Sequence, residues 1–208
     1  MTSPAVPTRR GLSLLEMLLA LSITALIAVG ISSMISAVTS GVGTRRDIRT
    51  TMVRANAAQT RLAAYIVPCR SLLGSNGSDL VLWLNDSRES DSVHATEIRW
   101  LLFDADQGVI GVHFVDFPDA WTQTAKDLAD TEYSADANWD AVLAQYQTNG
   151  WITTIRLVDG LDSAWVSTDA AMPMVSRHVI FELGFHTDDG PVPVRVSATV
   201  RLHQPPVS

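Results

Sequence analysis

The chain has 208 residues, a formal charge of −7 and 47% hydrophobic residues, enough for one compact domain beside a further N-terminal element. The apolar share excludes a disordered chain, and the acidic balance argues against nucleic acid, which needs basic stripes on its partner. A single cysteine, Cys69, excludes an internal disulfide and a cysteine-built zinc cluster.

The first element is apolar. Between Glu16 and Arg45 no residue carries a formal charge, and no proline interrupts the run. As a helix it would be about 42 Å long, more than the ~30 Å of a hydrocarbon core. Its second half is rich in Ser, Thr and Gly, so the expected membrane span is 12–34. A cleaved secretory signal would explain Arg9 and Arg10, but the apolar stretch is too long for one and has an acid inside. A plain signal anchor gives Glu16 no task. The arginines also sit awkwardly for a cytoplasmic N-terminus: Arg9 and Arg10 precede the span, and Arg45, Arg46, Arg49 and Arg54 follow it. A carboxylate in a membrane segment is costly and usually functional.

The stretch RRGLSLLEMLLAL, from Arg9 to Leu21, resembles the prepilin signal of type IV pilins and type II secretion pseudopilins. Gly11 matches the glycine that ends the basic leader, Leu12 the first mature residue (more often phenylalanine), and Glu16 the glutamate at the fifth mature position. The resemblance implies cleavage by a prepilin peptidase between Gly11 and Leu12, and N-methylation of Leu12. It also implies that Glu16 sets filament register by meeting a neighbour's cationic N-terminus. The physical logic agrees, because a buried carboxylate is tolerated when a partner offsets its desolvation, and such pairs fix register.

Beyond the membrane the helical pattern continues. Ile48, Met52, Ala55, Leu62 and Ile66 fall on one stripe at spacings of three, four or seven, and Pro68 marks the end. A helix over 12–67 would be about 84 Å long. Gly41 and Gly43 weaken it locally. Its arginines read as a solvated face. Residues 1–11 are then a leader, 12–67 a long helix and 68–208 a globular domain.

After Pro68 the periodicity changes to that of strands, expected at 80–84, 97–104, 109–115, 152–158, 163–167, 178–186 and 192–202. Turns fall at Asp106-Gln107-Gly108 and Asp188-Asp189-Gly190, a helix at 138–147 stops at Gly150, and the tail QPPVS reads as a loose end. The expected class is α+β: the helix stripe covers the apolar face of an antiparallel sheet that carries a helical insertion. This is the pilin layout, and size and final paired strands most resemble the J-type minor pseudopilins.

The chain has no nucleophile elbow, P-loop, metalloprotease helix or paired-cysteine motif, so the expectation is a structural subunit and not an enzyme. The twelve-residue loop Asp86 to Glu97 has acids at both ends, as an EF-hand loop does, but Arg88 stands third and Asp91 sixth. It reads as a solvated polar loop, with Asp86 and Glu97 as weak calcium candidates and no other cofactor. His186 and His203 can approach one another on paired strands, though isolated surface histidines are the simpler reading. Of the six tryptophans, Trp121 and Trp139 lie in the polar insertion and are candidate exposed anchors for a partner, though core or local packing is the simpler reading for each.

The resemblance implies a single-pass protein of the bacterial inner membrane with a cytoplasmic N-terminus and a periplasmic domain. Its partners would be major and minor pseudopilins, the prepilin peptidase, the inner-membrane assembly platform and membrane lipid, with no nucleic acid. A minor pilin of a type IV pilus or DNA-uptake filament is the alternative within the superfamily. A membrane-anchored periplasmic binding domain is the alternative outside it.

Overall fold

The computed structural model describes residues 14–85, 87, 92–188 and 190–206, with backbone alone over 37–47. It divides into two units, Met1–Ile48 and Arg49–Ser208. Helix α1 (Leu14–Ile66) supplies the described part of the first unit and the opening turns of the second.

In the second unit α1 buries Thr51, Ala55, Ala58, Leu62 and Ile66. This is a helical stripe at steps of four and three. Ile48 and Met52 are 46% and 63% exposed, so the predicted stripe is displaced toward its N-terminal end. Both stripes have helical spacing and share positions 55, 62 and 66. Thr51 is chosen over the more apolar Met52 because it lies on the sheet side. Ala55 and Ala58 keep the helix close to the sheets, while burial of Leu62 and Ile66 contributes roughly 1.5–3 kcal/mol each. The helix ends at Ile66, two residues before Pro68, whose ring disfavours helical geometry in the residue ahead of it.

The strands form two antiparallel sheets where a single one was expected. The first comprises β1 (Ser71–Asn76), β2 (Asp79–Trp83), β4 (Ile98–Asp104), β5 (Val109–Val115) and β7 (Ile152–Val158), in the order β1-β2-β4-β5-β7. The second comprises β8 (Leu161–Thr168), β9 (His178–Phe185) and β10 (Val192–Thr199), in the order β10-β9-β8. A two-residue bridge joins β3 (Val93–His94) to β6 (Glu132–Tyr133). Both sheets and α1 share one core, where Leu72, Leu82, Leu101 and Val112 meet Val166, Val179, Phe181 and Leu183. The alternation of apolar residues in β9 puts Val179, Phe181 and Leu183 on this side.

The insertion between β5 and β7 forms α2 (Gln123–Ala129), β6 and α3 (Trp139–Thr148). It builds a second core: Trp139, Val142, Leu143 and Tyr146 pack with Val81, Trp83, Trp100 and Val115. These strand residues alternate with those facing α1, so the five-stranded sheet lies between α1 and the insertion.

Strand β1 and helix α2 were not expected from the sequence. β1 closes on β2 through a two-residue turn led by Gly77 at φ +65°. Gly108, at φ +63°, closes the β4–β5 turn, where a Cβ would drive into the carbonyl of Leu161. The predicted strand 192–202 stops at Thr199, because Val200 and Arg201 turn their amides to the carbonyls of Arg177 and Val67. The described part of the expected loose tail is tied down: Gln204 bonds Arg70 through backbone and side chain, and Pro206 is buried, while Val207 and Ser208 lie outside the described residues.

Candidate functional site

The N-terminal motif leads into α1, with Glu16 in the first described turn. Gly11 and Leu12, the expected cleavage pair, lie outside the described residues. Leu14–Ser36 is a 23-residue stretch of mean hydropathy 2.4, long and apolar enough to cross a membrane. Its apolar side chains, from Leu14 and Leu15 through Leu26 and Val29 to Met34, are exposed on every side of the helix. A helix apolar all round is one covered by lipid or by other helices. Three of its hydroxyls are satisfied internally: Ser22 Oγ donates to Leu19 O at 2.9 Å, Thr24 Oγ1 to Ala20 O at 2.7 Å and Ser33 Oγ to Gly30 O at 2.9 Å. Such back-bonding lets Ser and Thr enter hydrocarbon without an orphan donor.

The second candidate changes character in the structure. Glu97 does not belong to a solvated loop; it is 1% exposed and closes the 3-10 turn Ala95–Glu97 ahead of β4. Its Oε2 accepts from Trp83 Nε1 at 3.0 Å and from the His94 amide at 3.1 Å. Its Oε1 accepts from the Ser87 amide at 2.5 Å and from Ser87 Oγ at 2.8 Å. Four donors fill the acceptor sites of one carboxylate, which makes it an internal tie between β2, the loop and β4. Asp86 and Arg88 to Asp91 lie outside the described residues. Among the described residues no three His, Cys, Asp or Glu side chains form a group fit to hold a metal.

The other sequence candidates separate. His186 Nδ1 lies 2.9 Å from Asp162 Oδ1, and His203 Nδ1 is buried without a hydrogen bond, so the two histidines are not joined. Trp139 is buried at 7% in the second core. Trp121 is half-buried, stacked on Phe117 at 5.8 Å and edge-on to Trp151 at 5.1 Å. The exposed indole is Trp165, at 59%, which leans on Gly77. Cys69 is fully buried, and burial pushes its thiol up to about 12, which makes it an inert core residue.

Two features went unforeseen. Arg99 is half-buried, which lowers its pKa; its Nη1 donates to the carbonyls of Thr96 and Ile98 at 2.8 Å each, and its guanidinium lies 4.9 Å over Phe114. On the opposite face of the sheet, His113 and Thr154 are cross-strand partners, as are Gly111 and Arg156. Burial holds His113 below its ordinary value, against an opposing pull from Asp79. The alternation of β5 and β7 carries the signal for this second cluster.

Residues 7–32 match a family model described as the prokaryotic N-terminal methylation motif. No curated protein and no solved structure matches the chain. The chain thus carries a type IV pilin-like prepilin signal ahead of an apolar helix fit to be a membrane anchor and an α+β unit.

Proposed function

We propose that the chain is a minor pseudopilin, a structural subunit of a type II secretion filament at or near its tip, most like the J-type subunits. The observation that carries this reading is the methylation motif over 7–32 placed directly on a membrane-length helix that continues into the core of an α+β unit. In this reading a prepilin peptidase cuts after Gly11, and Leu12 becomes the methylated N-terminus. The new amine then lies four residues before Glu16, so a neighbour's amine can pair with Glu16 and fix the stagger of the subunits. The N-terminus stays cytoplasmic and the domain is periplasmic. Its partners are major and minor pseudopilins and the inner-membrane assembly platform, its work is assembly and not catalysis, and no nucleic acid is involved.

Mass spectrometry of the membrane-extracted chain tests the processing step. A methylated Leu12 start is expected, and an intact leader in cells with active peptidase refutes it. Glu16→Ala is expected to leave cleavage intact and to remove the chain from filaments. Cells lacking the chain should retain secretion cargo in the periplasm. Intact secretion with lost pilus retraction or DNA uptake would refute the secretion assignment while leaving the prepilin signal in place.

A further inference from the structure

The two larger sheets end in four edge strands, β1 and β7 in the first and β8 and β10 in the second. An edge presents a row of unpaired amides and carbonyls, and proteins guard such rows against other strands. Three of the four are guarded. β1 bulges at Leu73, and the 3-10 turn Pro173–Val175 packs against it. β8 gives the amides of Leu161 and Val166 to the carbonyls of Gly108 and Gly77, which stand in turns of the first sheet. β10 contains Pro193, which has no N–H, and its Ser197 carbonyl accepts from Gln59 Nε2 of α1 at 3.4 Å.

The fourth edge is open. The amide of Asp116 donates to the carbonyl of Trp151, so Trp151 turns its backbone toward β5. By the alternation of an antiparallel ladder Thr153 and Ile155 do the same, and Ile152, Thr154 and Arg156 turn theirs outward. Among the described residues the amides and carbonyls of these three have no hydrogen-bond partner, and β7 contains no proline or lysine. The guard comes only beyond them, at a bulge on Leu157, whose carbonyl accepts from Arg61 Nη1 of α1 at 2.8 Å. Side chains of the strand bond inward. Thr153 Oγ1 donates to Asp116 Oδ2 at 3.1 Å, Thr154 Oγ1 lies 2.8 Å from His113 Nδ1, and Arg156 Nη2 donates to Gln107 Oε1 at 2.8 Å. Thr154, Ile155 and Arg156 are exposed, Ile155 at 44%.

From this geometry we infer that β7 takes up a strand of a partner protein, which extends the five-stranded sheet beyond its present edge. The outward groups of Ile152, Thr154 and Arg156 recur at every second residue, the spacing that another extended backbone matches. Ile152, Thr153, Thr154 and Ile155 are β-branched, which suits a strand paired on both sides. A β-branched side chain of the added strand, placed beside Ile155, covers its exposed flank.

Area decides between a free strand and a second folded copy. The five residues 152–156 make an edge about 17 Å long, and a sheet is about 10 Å deep, so the edge offers about 170 Å². Each partner in a stable complex of folded proteins gives about 800 Å². A second copy that meets the chain here alone falls far short of that. A free segment instead follows the twist of the sheet and lays its side chains on both faces. The inference does not depend on the filament reading, since it concerns only the second unit.

The test is amide hydrogen exchange of the full chain in detergent micelles. The probe is an end-blocked peptide of alternating threonine and valine with a lysine at each end. Without peptide the Thr154 amide should exchange about a hundredfold faster than those of Thr153 and Ile155, which lie in the ladder. Millimolar peptide should slow the Thr154 and Arg156 amides about tenfold and leave Thr153 and Ile155 unchanged. Thr154→Pro removes an outward N–H and no ladder bond, so it should abolish the slowing at Arg156. Thr154→Val keeps the N–H and should preserve it. The same peptide N-methylated throughout should have no effect, a comparison that stands even if Thr154→Pro disturbs folding. A Thr154 amide already protected in the dilute free chain, or equal effects of the plain and methylated peptides, would overturn the inference. Protection of Thr154 that grows with chain concentration in the absence of peptide would overturn the assignment to a partner strand and point to a second copy.

Discussion

Replacing Glu97 tests the reading of the Asp86 to Glu97 loop. In Glu97→Ala four donors lose their acceptor: Trp83 Nε1, the His94 amide, and the amide and hydroxyl of Ser87. Ser87 can turn to water. Trp83 is fully buried and His94 is 8% exposed, so two donors remain dry and unpaired. At about 1–3 kcal/mol for each, plus the lost contacts of the side chain, the cost is about 3–5 kcal/mol. That is a large part of the ~5–15 kcal/mol that stabilises a whole domain. Thermal unfolding of the full chain in detergent, followed by tryptophan fluorescence, should show a fall in Tm of roughly 10 °C. In Glu97→Gln the amide NH2 confronts one donor pair and the oxygen keeps the other, so about half the fall is expected. Calcium should leave the midpoint of the native chain unchanged. An alanine variant that melts within about 3 °C of the native chain would refute the reasoning. So would a calcium-dependent rise that Glu97→Ala abolishes, because the carboxylate would then serve an ion.

Three further outcomes are expected. Gly108→Ala should cost about 3 kcal/mol, since it combines a positive φ with a collision against Leu161 O, whereas Gly150→Ala, at φ +73° with open space around it, should cost only about 1 kcal/mol; equal losses in the same melts would refute the steric account. Burial depresses the folded pKa of His113, so unfolding takes up a proton there: the contribution is present above the ordinary histidine range and lost as pH falls below ~6.5. Stability profiles of the native chain and His113→Gln should therefore diverge on acidification, and parallel profiles would refute the claim. Trp139→Ala should cost about 3–5 kcal/mol and Trp165→Ala under about 1 kcal/mol; the reverse order in unfolding midpoints would contradict the burial of the two indoles.

What the sequence reveals depends on whether a signal is local. The hairpin of β4 and β5 was legible because two alternating runs flank a polar turn with glycine, and α3 because Asn138 caps it and Gly150 follows it. β1 was missed although Asn76-Gly77 is a strong hairpin signal, because Gly74 weakens the strand pattern before it. The split into two sheets was not legible, since it depends on which edges meet across the whole chain: β8 follows β7 at once yet pairs with β9. Where Trp121 and Trp139 pack was hidden for a similar reason. A polar insertion reads as exposed until it is known to fold over the apolar outer face of a sheet, and then its aromatics become that face's cover.

The functional signal has the opposite distribution. Glu16 stood out because a charge inside an apolar run is conspicuous without any tertiary information. Glu97 did not, because an acid in a polar loop looks solvated until its four donors arrive from β2, the loop and the residues before β4. Helix α1 shows both cases in one element. Over Leu14–Ser36 the composition alone dictates the surroundings, since every side is apolar and the hydroxyls of Ser22, Thr24 and Ser33 bond back to the helix. From Thr51 onward composition is ambiguous by one helical position, and only packing decides between Thr51 and Met52. A membrane tests the whole circumference of a helix, so one pattern meets the requirement. A protein core tests a single stripe, and neighbouring stripes on one sequence can both satisfy the spacing.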